Sequence, residues 1–179
     1  MIRQNGYVLT GGPGAGKTTV IKALEAMGYS IVPESGRQII QEQVQSGGHA
    51  VPWDNTEAFR NLMQAAAVRD YHALQPGVSP VFFDRALPDV AGYTKLTGLP
   101  LTEELVCLCR ECRYNDRVFI FPPWEEIFCG DEERKQDFTT ATATHDRMQE
   151  VYTAYGYTLF TVPPGSVRER VDFILQRLH

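Results

Sequence analysis

Apolar residues along the chain fall into two patterns, short continuous runs and longer stretches with helical spacing. A continuous apolar run predicts a strand buried in a parallel sheet, whereas apolar positions that recur every three or four residues predict a helix. Because the predicted strands alternate with helices, we expect right-handed crossovers and a five-stranded parallel sheet with helices on both faces. The five predicted strands lie at residues 7–10, 29–32, 81–84, 117–121 and 157–162.

Turn residues and capping residues delimit the predicted helices. Gly28 and Gly156 each stand just after a helical pattern and just before a strand, where glycine is favoured as a helix stop. Either Asn55 or Thr56 could cap a long helix that continues to Leu74. These signals predict an α/β fold without internal repeats.

Length and charge limit the class of protein. A chain of 179 residues predicts one domain, residues 1–179, since domains usually hold about 100–200 residues. The net charge of −5 and the scattered Lys and Arg argue against a large nucleic-acid-binding surface, although a small anionic ligand needs only a few basic residues. Without an apolar run long enough to span a membrane, and with the first strand close to the N-terminus, we expect a cytoplasmic protein.

The cysteines are interpreted as buried reduced thiols rather than as a metal cluster. Cys107, Cys109 and Cys112 lie close together and Cys129 follows further on. Cys107 and Cys109 face different sides of any helix, and the sequence has no second C-x-x-C pair, so the spacing does not favour zinc.

The sharpest motif follows the first predicted strand and opens the first predicted helix. Residues 11–18 read G-G-P-G-A-G-K-T and match the phosphate-loop pattern G-x-x-x-x-G-K-[ST]. Glycines let backbone N–H groups point at a phosphate chain, and the start of a helix favours anions. Lys17 can reach the terminal phosphates and the Thr18 hydroxyl can hold Mg²⁺, whereas the alternative is a glycine-rich turn without a ligand. The predicted nucleotide-binding residues are Gly11, Gly12, Pro13, Gly14, Ala15, Gly16, Lys17, Thr18 and Thr19.

Further candidates for the site follow the other predicted strands. Glu34 follows the second strand, Asp84 and Arg85 end the third, and residues 122–124 follow the fourth. In open parallel sheets, ligands bind beyond the carboxyl ends of the strands. We therefore expect four strand ends, including the phosphate loop, to converge on one site.

The segment from Trp124 to Gln136 is charged and poorly periodic. We interpret it as a mobile lid, with a plain solvated loop as the alternative. Arg134 within this segment could stabilise charge in a transition state, or could lie in an exposed loop.

Taken together, these residues resemble the P-loop ATPase/kinase family of NAD metabolism, which includes the ribosylnicotinamide kinase domain of NadR and related AAA-type domains. The resemblance rests on the phosphate loop, on V-P-E-S-G-R at residues 32–37, on F-F-D at 82–84, and on P-W at 123–124 followed by Asp131 and Arg134. It covers nearly the whole chain.

This resemblance implies a compact P-loop kinase fold with a lid, ATP with Mg²⁺, and a nucleoside-like acceptor. It also implies that residues 163–166 lie near the adenine. The chain differs from that family in two ways. We expect no adenylyltransferase or DNA-binding part like those attached to NadR, and residues 130–134 read G-D-E-E-R where the kinase domain more usually has Asp-Gly ahead of the arginine.

The two strand-end carboxylates have different predicted roles. Phosphoryl transfer depends mainly on positioning and charge stabilisation, so the protein must supply groups for Mg²⁺ and for the acceptor hydroxyl. Asp84 ends an apolar strand and is predicted to be the Mg²⁺-side carboxylate, with a helix cap as the alternative. Glu34 is the candidate that accepts or orients the acceptor proton, and its alternative role is to favour the start of the next helix.

The acceptor pocket has its own candidates. Arginines at strand ends could hold phosphate or acceptor oxygens, or could pair with Glu34 or Asp84. Two residues of the long helix lie off its apolar face and could line the pocket or face solvent. A tryptophan could stack on a ring or pack in the core. These candidates are Arg37, Gln64, Arg69, Arg85 and Trp124.

Two functions fit these features. The first is an ATP-dependent small-molecule kinase that transfers the γ-phosphate of Mg-ATP to a nucleoside-like hydroxyl. The lid and the helical insertion between the second and third strands favour it, because a simple nucleotide switch needs no second pocket. The alternative is an ATP- or GTP-binding regulatory P-loop module with slow hydrolysis, although no [NT]-K-x-D guanine-reading motif follows the fourth or fifth strand. The sequence predicts no oligomeric state.

Overall fold

The central element of the fold is a parallel sheet. The computed structural model describes residues 4–77, 79–128 and 137–178. Its strands are β1 (Gly6–Gly11), β2 (Ser30–Val32), β3 (Val81–Asp84), β4 (Arg117–Phe121) and β5 (Thr158–Thr161). They pair in the order β2-β3-β1-β4-β5, and every pair is parallel. The predicted five-stranded parallel sheet is confirmed.

Helices connect the strands. Within the described residues they are α1 (Lys17–Ala26), α2 (Ser35–Ser46), α3 (Thr56–Ala73), α4 (Leu87–Leu96), α5 (Glu103–Glu111), α6 (Phe138–Ala154) and α7 (Val167–Leu175), with a short 3-10 helix at Glu125–Ile127. Asn55 is the residue that caps α3, because its side chain accepts the Ala58 amide proton at 3.0 Å. No helix in this described part of the chain is long and apolar enough to cross a membrane.

The central strands β1, β3 and β4 bury side chains on both faces of the sheet, whereas the edge strands β2 and β5 are partly exposed. Successive residues of a strand point to opposite sides of the sheet. Val8 and Phe83 pack on one side with residues of α4, α5 and α6, whereas Leu9 and Phe82 pack on the other side with residues of α1 and α7. This arrangement explains why the strands read as continuous apolar runs.

The order of the strands brings the functional segments together. β1 lies between β3 and β4, with Leu9 opposite Asp84 and Gly11 opposite Phe121. The phosphate loop therefore emerges beside the carboxyl ends of both neighbouring strands. Helices α2 and α3, inserted between β2 and β3, pack on each other through a separate small cluster made of Ile39, Ile40, Phe59 and Ala66.

The cysteines differ in part from the prediction of buried thiols. Cys109 and Cys112 are buried free thiols, but Cys107 is exposed, because positions 107 and 109 of α5 point to different sides of the helix. Burial raises the pKa of the Cys109 thiol to about 12. Cys129 lies outside the described residues.

Candidate functional site

The phosphate loop forms the turn between β1 and α1. Gly16 has φ 73° at the N-cap of α1, a left-handed conformation that glycine adopts without strain. Gly12 packs so closely on α6 that a Cβ atom would lie 2.3 Å from the Ala141 carbonyl oxygen. Glycine is therefore favoured at both positions, by the backbone conformation at Gly16 and by the close approach of α6 at Gly12.

Lys17 lies at the start of α1 and points toward the end of β3. Its Nζ atom contacts the Asp84 carboxylate, and only 7% of the residue is exposed. Thr18 is exposed at the same helix start, where its hydroxyl can reach a ligand. Thr19 instead donates its hydroxyl proton to the Gly16 carbonyl oxygen at 2.8 Å and so closes the turn.

A cavity of about 560 Å³ lies over the phosphate loop. The loop and the start of α1, residues 12–19, form one wall of it. Its other lining residues include Trp124 and Ile127 after β4, and Gly165 and Ser166 after β5. We call this space the nucleotide cavity. Two of the residues predicted to lie near an adenine, Gly165 and Ser166, line it.

Arg170 of α7 contacts the phosphate loop and also lines the nucleotide cavity. Its Nη2 atom donates to the Ala15 carbonyl oxygen at 2.9 Å, and its guanidinium lies 4.8 Å from the centre of the Phe121 ring. Burial lowers the pKa of Arg170, and the residue is 2% exposed. Arg170 is not among the site residues predicted from the sequence. Its position between Val167 and Ile174, on the apolar side of the last helix, is a signal that could have indicated burial.

A second cavity, of about 420 Å³, adjoins the first and lies between β2, β3, α3, α4 and α6. We call it the acceptor cavity. Its apolar walls include Phe59, Met63, Phe83, Val90, Tyr93 and Met148, and its charged lining residues are Glu34, Asp70, Asp84, Arg85 and Asp89. Glu34 and Arg85 line both cavities and mark their boundary.

Charged groups at this boundary are paired with one another. Arg85 Nε lies 3.4 Å from Glu34 Oε1, and Arg85 Nη1 lies 3.4 Å from Asp89 Oδ1. Burial opposes the charge on Arg85, but the Glu34, Asp89 and Asp84 carboxylates raise its pKa above the ordinary value. The backbone of Arg85 has φ 72°, which is unusual for a residue with a side chain and brings the guanidinium between the two carboxylates.

A family model described as an AAA domain matches residues 6–170. The chain belongs to the AAA domain family. A sequence comparison with curated proteins gives no significant match.

Solved structures share the fold of this AAA domain. Deoxyadenosine kinase from M. mycoides, with products dCMP and dCDP bound, is 17% identical with a TM-score of 0.67, over 97% of this chain and 98% of that chain. The NadR protein in complex with NR is 16% identical with a TM-score of 0.68, over 97% of this chain and 51% of that one. Shikimate kinase from Acinetobacter baumannii is 16% identical with a TM-score of 0.57, over 96% of this chain and 91% of that chain. The predicted P-loop kinase fold is confirmed.

The structure separates the predicted acceptor residues of this AAA domain into two groups. Arg37 and Trp124 line the nucleotide cavity, and Arg85 lines both cavities. Gln64 and Arg69 line neither, because the face of α3 that borders the acceptor cavity is its apolar face, and they lie off it. The Arg69 guanidinium is largely exposed and pairs with Asp70 at 2.9 Å.

The lid prediction falls only partly on described residues. Residues 125–127 form the short 3-10 helix after β4, and Ile127 borders the nucleotide cavity. Arg134, the predicted charge-stabilising residue, lies outside the described part of the chain.

Proposed function

We propose that this AAA domain is an ATP-dependent small-molecule kinase that transfers the γ-phosphate of Mg-ATP to a nucleoside-like hydroxyl. The observation that carries this proposal is the position of Glu34 and Arg85, which line both the nucleotide cavity and the adjoining acceptor cavity. A second cavity that meets the nucleotide cavity at charged residues suits a transferase, since a nucleotide switch needs only one binding site.

The nucleotide side of the reaction is supported by the phosphate loop. Backbone N–H groups of the loop and the Lys17 ammonium group would bind the phosphate chain of ATP, with the γ-phosphate directed toward Glu34 and Arg85. Lys17 would exchange its contact with Asp84 for the phosphates. Positioned positive charge of this kind stabilises the transferring phosphoryl group.

Transfer would then proceed at the boundary of the cavities. A bond forms between the acceptor hydroxyl oxygen and the γ-phosphorus, while the bond from that phosphorus to the bridging oxygen of ADP breaks. The hydroxyl proton passes to the Glu34 carboxylate and afterwards to solvent. Arg85 can donate to oxygens of the acceptor or of the transferring phosphate.

The residues at the loop also fit Mg²⁺. Magnesium prefers oxygen ligands and commonly binds through one or two protein groups together with substrate phosphates. The Thr18 hydroxyl at the exposed start of α1 and the Asp84 carboxylate at the end of β3 are oxygen donors on either side of Lys17. When bound there, Mg²⁺ would neutralise charge on the phosphates.

The lining of the acceptor cavity favours a nucleoside-like acceptor over an acidic one. Its described lining residues include four carboxylates, from Glu34, Asp70, Asp84 and Asp89, and one guanidinium group, from Arg85. An anionic acceptor would be repelled by this set, whereas an uncharged or cationic ring could lie against the apolar walls. Among proteins of this fold, one binds dCMP, one binds NR and one binds shikimate.

The test is a transfer assay with γ-labelled ATP, Mg²⁺ and a panel of nucleosides, with shikimate as the acidic comparison. We expect ADP formation that depends on one class of nucleoside, with the label recovered on that acceptor, and no transfer to shikimate. Slow release of phosphate at the same rate with every acceptor would contradict the proposal and support a regulatory nucleotide-binding module.

A further inference from the structure

We propose that Asp89 is a positioning residue for the transfer reaction, which acts by holding Arg85 against Glu34 at the boundary of the two cavities. This inference rests on the proposed function and deepens it. Asp89 lies in the first turn of α4, and no feature of its sequence neighbourhood identifies it as more than a helix-start carboxylate.

The Asp89 carboxylate receives hydrogen bonds from several elements of the fold. The Thr10 hydroxyl at the end of β1 donates to Oδ1, and the Tyr152 hydroxyl of α6 donates to Oδ2. The Ala86 amide donates to Oδ2 at 2.8 Å, and Arg85 Nη1 lies 3.4 Å from Oδ1. Asp89 is buried. A carboxylate that only caps a helix needs the backbone amide alone, so the side-chain donors indicate a further role.

Burial of this carboxylate is compensated by its donors. An isolated buried charge is unfavourable unless it is paired and hydrogen-bonded. Both oxygens of Asp89 have two partners, which fix the carboxylate plane with respect to β1 and α6. Asp89 is therefore a rigid anchor for the guanidinium group that pairs with it.

The Arg85 guanidinium group links the Asp89 carboxylate to the Glu34 carboxylate. A guanidinium group is planar, so a contact at Nη1 with Asp89 also orients Nε, which lies 3.4 Å from Glu34 Oε1. The left-handed backbone of Arg85, with φ 72°, is a conformation that persists only where the surroundings hold it. The Arg85 amide donates to the Leu9 carbonyl oxygen at 3.0 Å and the Ala86 amide donates to Asp89, so Asp89 helps to hold this backbone conformation.

Helix α6 connects the same network to the wall of the acceptor cavity. Its first turns place Thr139, Thr140 and Thr144 on that wall, and Tyr152 further along the helix donates to Asp89. The position of the Glu34 carboxylate is thus tied to the helix that lines the acceptor cavity.

The first measurement is the kinetics of Asp89→Asn in the full chain. We expect kcat for acceptor transfer to fall by about 10²-fold, the loss associated with misplacing a reacting group by an ångström, with KM for ATP within about twofold of the parent. The proposal would be overturned if kcat were the same as in the parent, or if kcat and KM for ATP changed by the same factor.

A double-mutant cycle separates positioning from a general loss of structure. If Asp89 acts through Arg85, Asp89→Asn should have no further effect on kcat in the Arg85→Ala background. Losses that multiply in the double variant would show that Asp89 acts independently of Arg85, and would contradict the inference.

Tyr152→Phe provides a milder variant if Asp89→Asn does not fold. It keeps the ring and removes one donor to Asp89, so we expect a smaller fall in kcat that also disappears in the Arg85→Ala background. Tyr157→Phe is the matched control, because this buried tyrosine hydroxyl receives a bond from the Tyr114 amide and lines neither cavity. An equal fall in kcat for Tyr157→Phe would overturn the proposal.

A readout without turnover distinguishes this inference from the proposed function. With ¹⁵N-labelled arginine, the Arg85 Nε–H signal should exchange slowly with solvent in the parent and at least tenfold faster in Asp89→Asn. An unchanged exchange rate would overturn the anchoring role. Faster exchange in Asp89→Asn, found together with a parent protein that phosphorylates no acceptor, would support the anchoring role and contradict the kinase proposal.

Discussion

Lys17 Nζ contacts the Asp84 carboxylate, so the phosphate-loop lysine and the acid at the end of the neighbouring strand are paired between the two cavities. The pairing follows from strand order, because β1 and β3 are adjacent and Leu9 lies opposite Asp84. Both groups are largely buried, which strengthens their attraction. In the proposed reaction the phosphates of ATP compete with Asp84 for Lys17.

Lys17→Ala should lose nucleotide affinity and keep the fold. Hydrogen bonds to charged groups contribute about 1.5–3 kcal/mol, so we expect Mg-ATP to bind about 10–100-fold more weakly. Thermal shift with Mg-ATP measures this change. Lys22→Ala on the exposed side of α1 is the matched control and should retain the parental shift. Equal stabilisation of Lys17→Ala and the parent would show that the phosphate loop does not bind the nucleotide.

Arg170→Ala should weaken both the fold and the nucleotide site. The substitution leaves the Ala15 carbonyl oxygen without its buried donor, which costs about 1–3 kcal/mol of unfolding free energy, and it frees the loop to move. Urea unfolding and Mg-ATP affinity measure the two effects. Arg168→Ala changes an exposed arginine of the same helix and should alter neither. If both variants behave alike, Arg170 does not support the loop.

The free energy of unfolding should decrease in alkaline solution. Burial raises the pKa of Cys109 from 9.0 to about 12 and that of Tyr157 from 10.0 to about 12. Because the folded state holds these protons more tightly, the stabilisation is complete below about pH 9 and is lost as the pH rises toward 12. Each proton contributes a slope of about 1.4 kcal/mol per pH unit in this window. Urea midpoints from pH 7 to 11 measure it, and Cys109→Ala should reduce the slope. A constant midpoint would contradict the prediction.

The exposed and buried thiols should differ in reactivity. Cys107 is accessible, whereas Cys109 is buried and its raised pKa leaves little thiolate at neutral pH. Iodoacetamide followed by peptide mapping should modify Cys107 in the folded protein and Cys109 only after denaturation. Modification of both at one rate would indicate that α5 is not packed as described.

The fold could be predicted because its signals are local. The central strands are buried on both faces and read as apolar runs, and the phosphate loop is one contiguous motif in which glycines have backbone roles. The start of α3 at Asn55 or Thr56 was also visible in the sequence, since a capping side chain binds an amide three residues away, as Asn55 does.

The contacts that organise the candidate site could not be predicted in this way. Asp89 binds Thr10 and Tyr152, which lie 79 and 63 residues away along the chain. No sequence pattern links them before the sheet order is known. Gln64 and Arg69 are predicted either to line the acceptor pocket or to face solvent, because they lie off the apolar face of α3. The acceptor cavity is instead lined by that apolar face, through Phe59 and Met63.

The measurement that tests the central claim most directly compares Glu34→Gln with Asp84→Asn in the transfer assay, with Mg-ATP affinity determined for both. Glu34→Gln keeps the shape of the side chain and removes the proton acceptor, so we predict that Mg-ATP affinity survives while transfer falls by about 10²–10⁴-fold. Asp84→Asn should instead depress Mg-ATP binding together with every reaction of the nucleotide. If Glu34→Gln transfers phosphate at the parental rate, Glu34 does not act on the acceptor, and the proposed division of roles at the two strand ends is wrong.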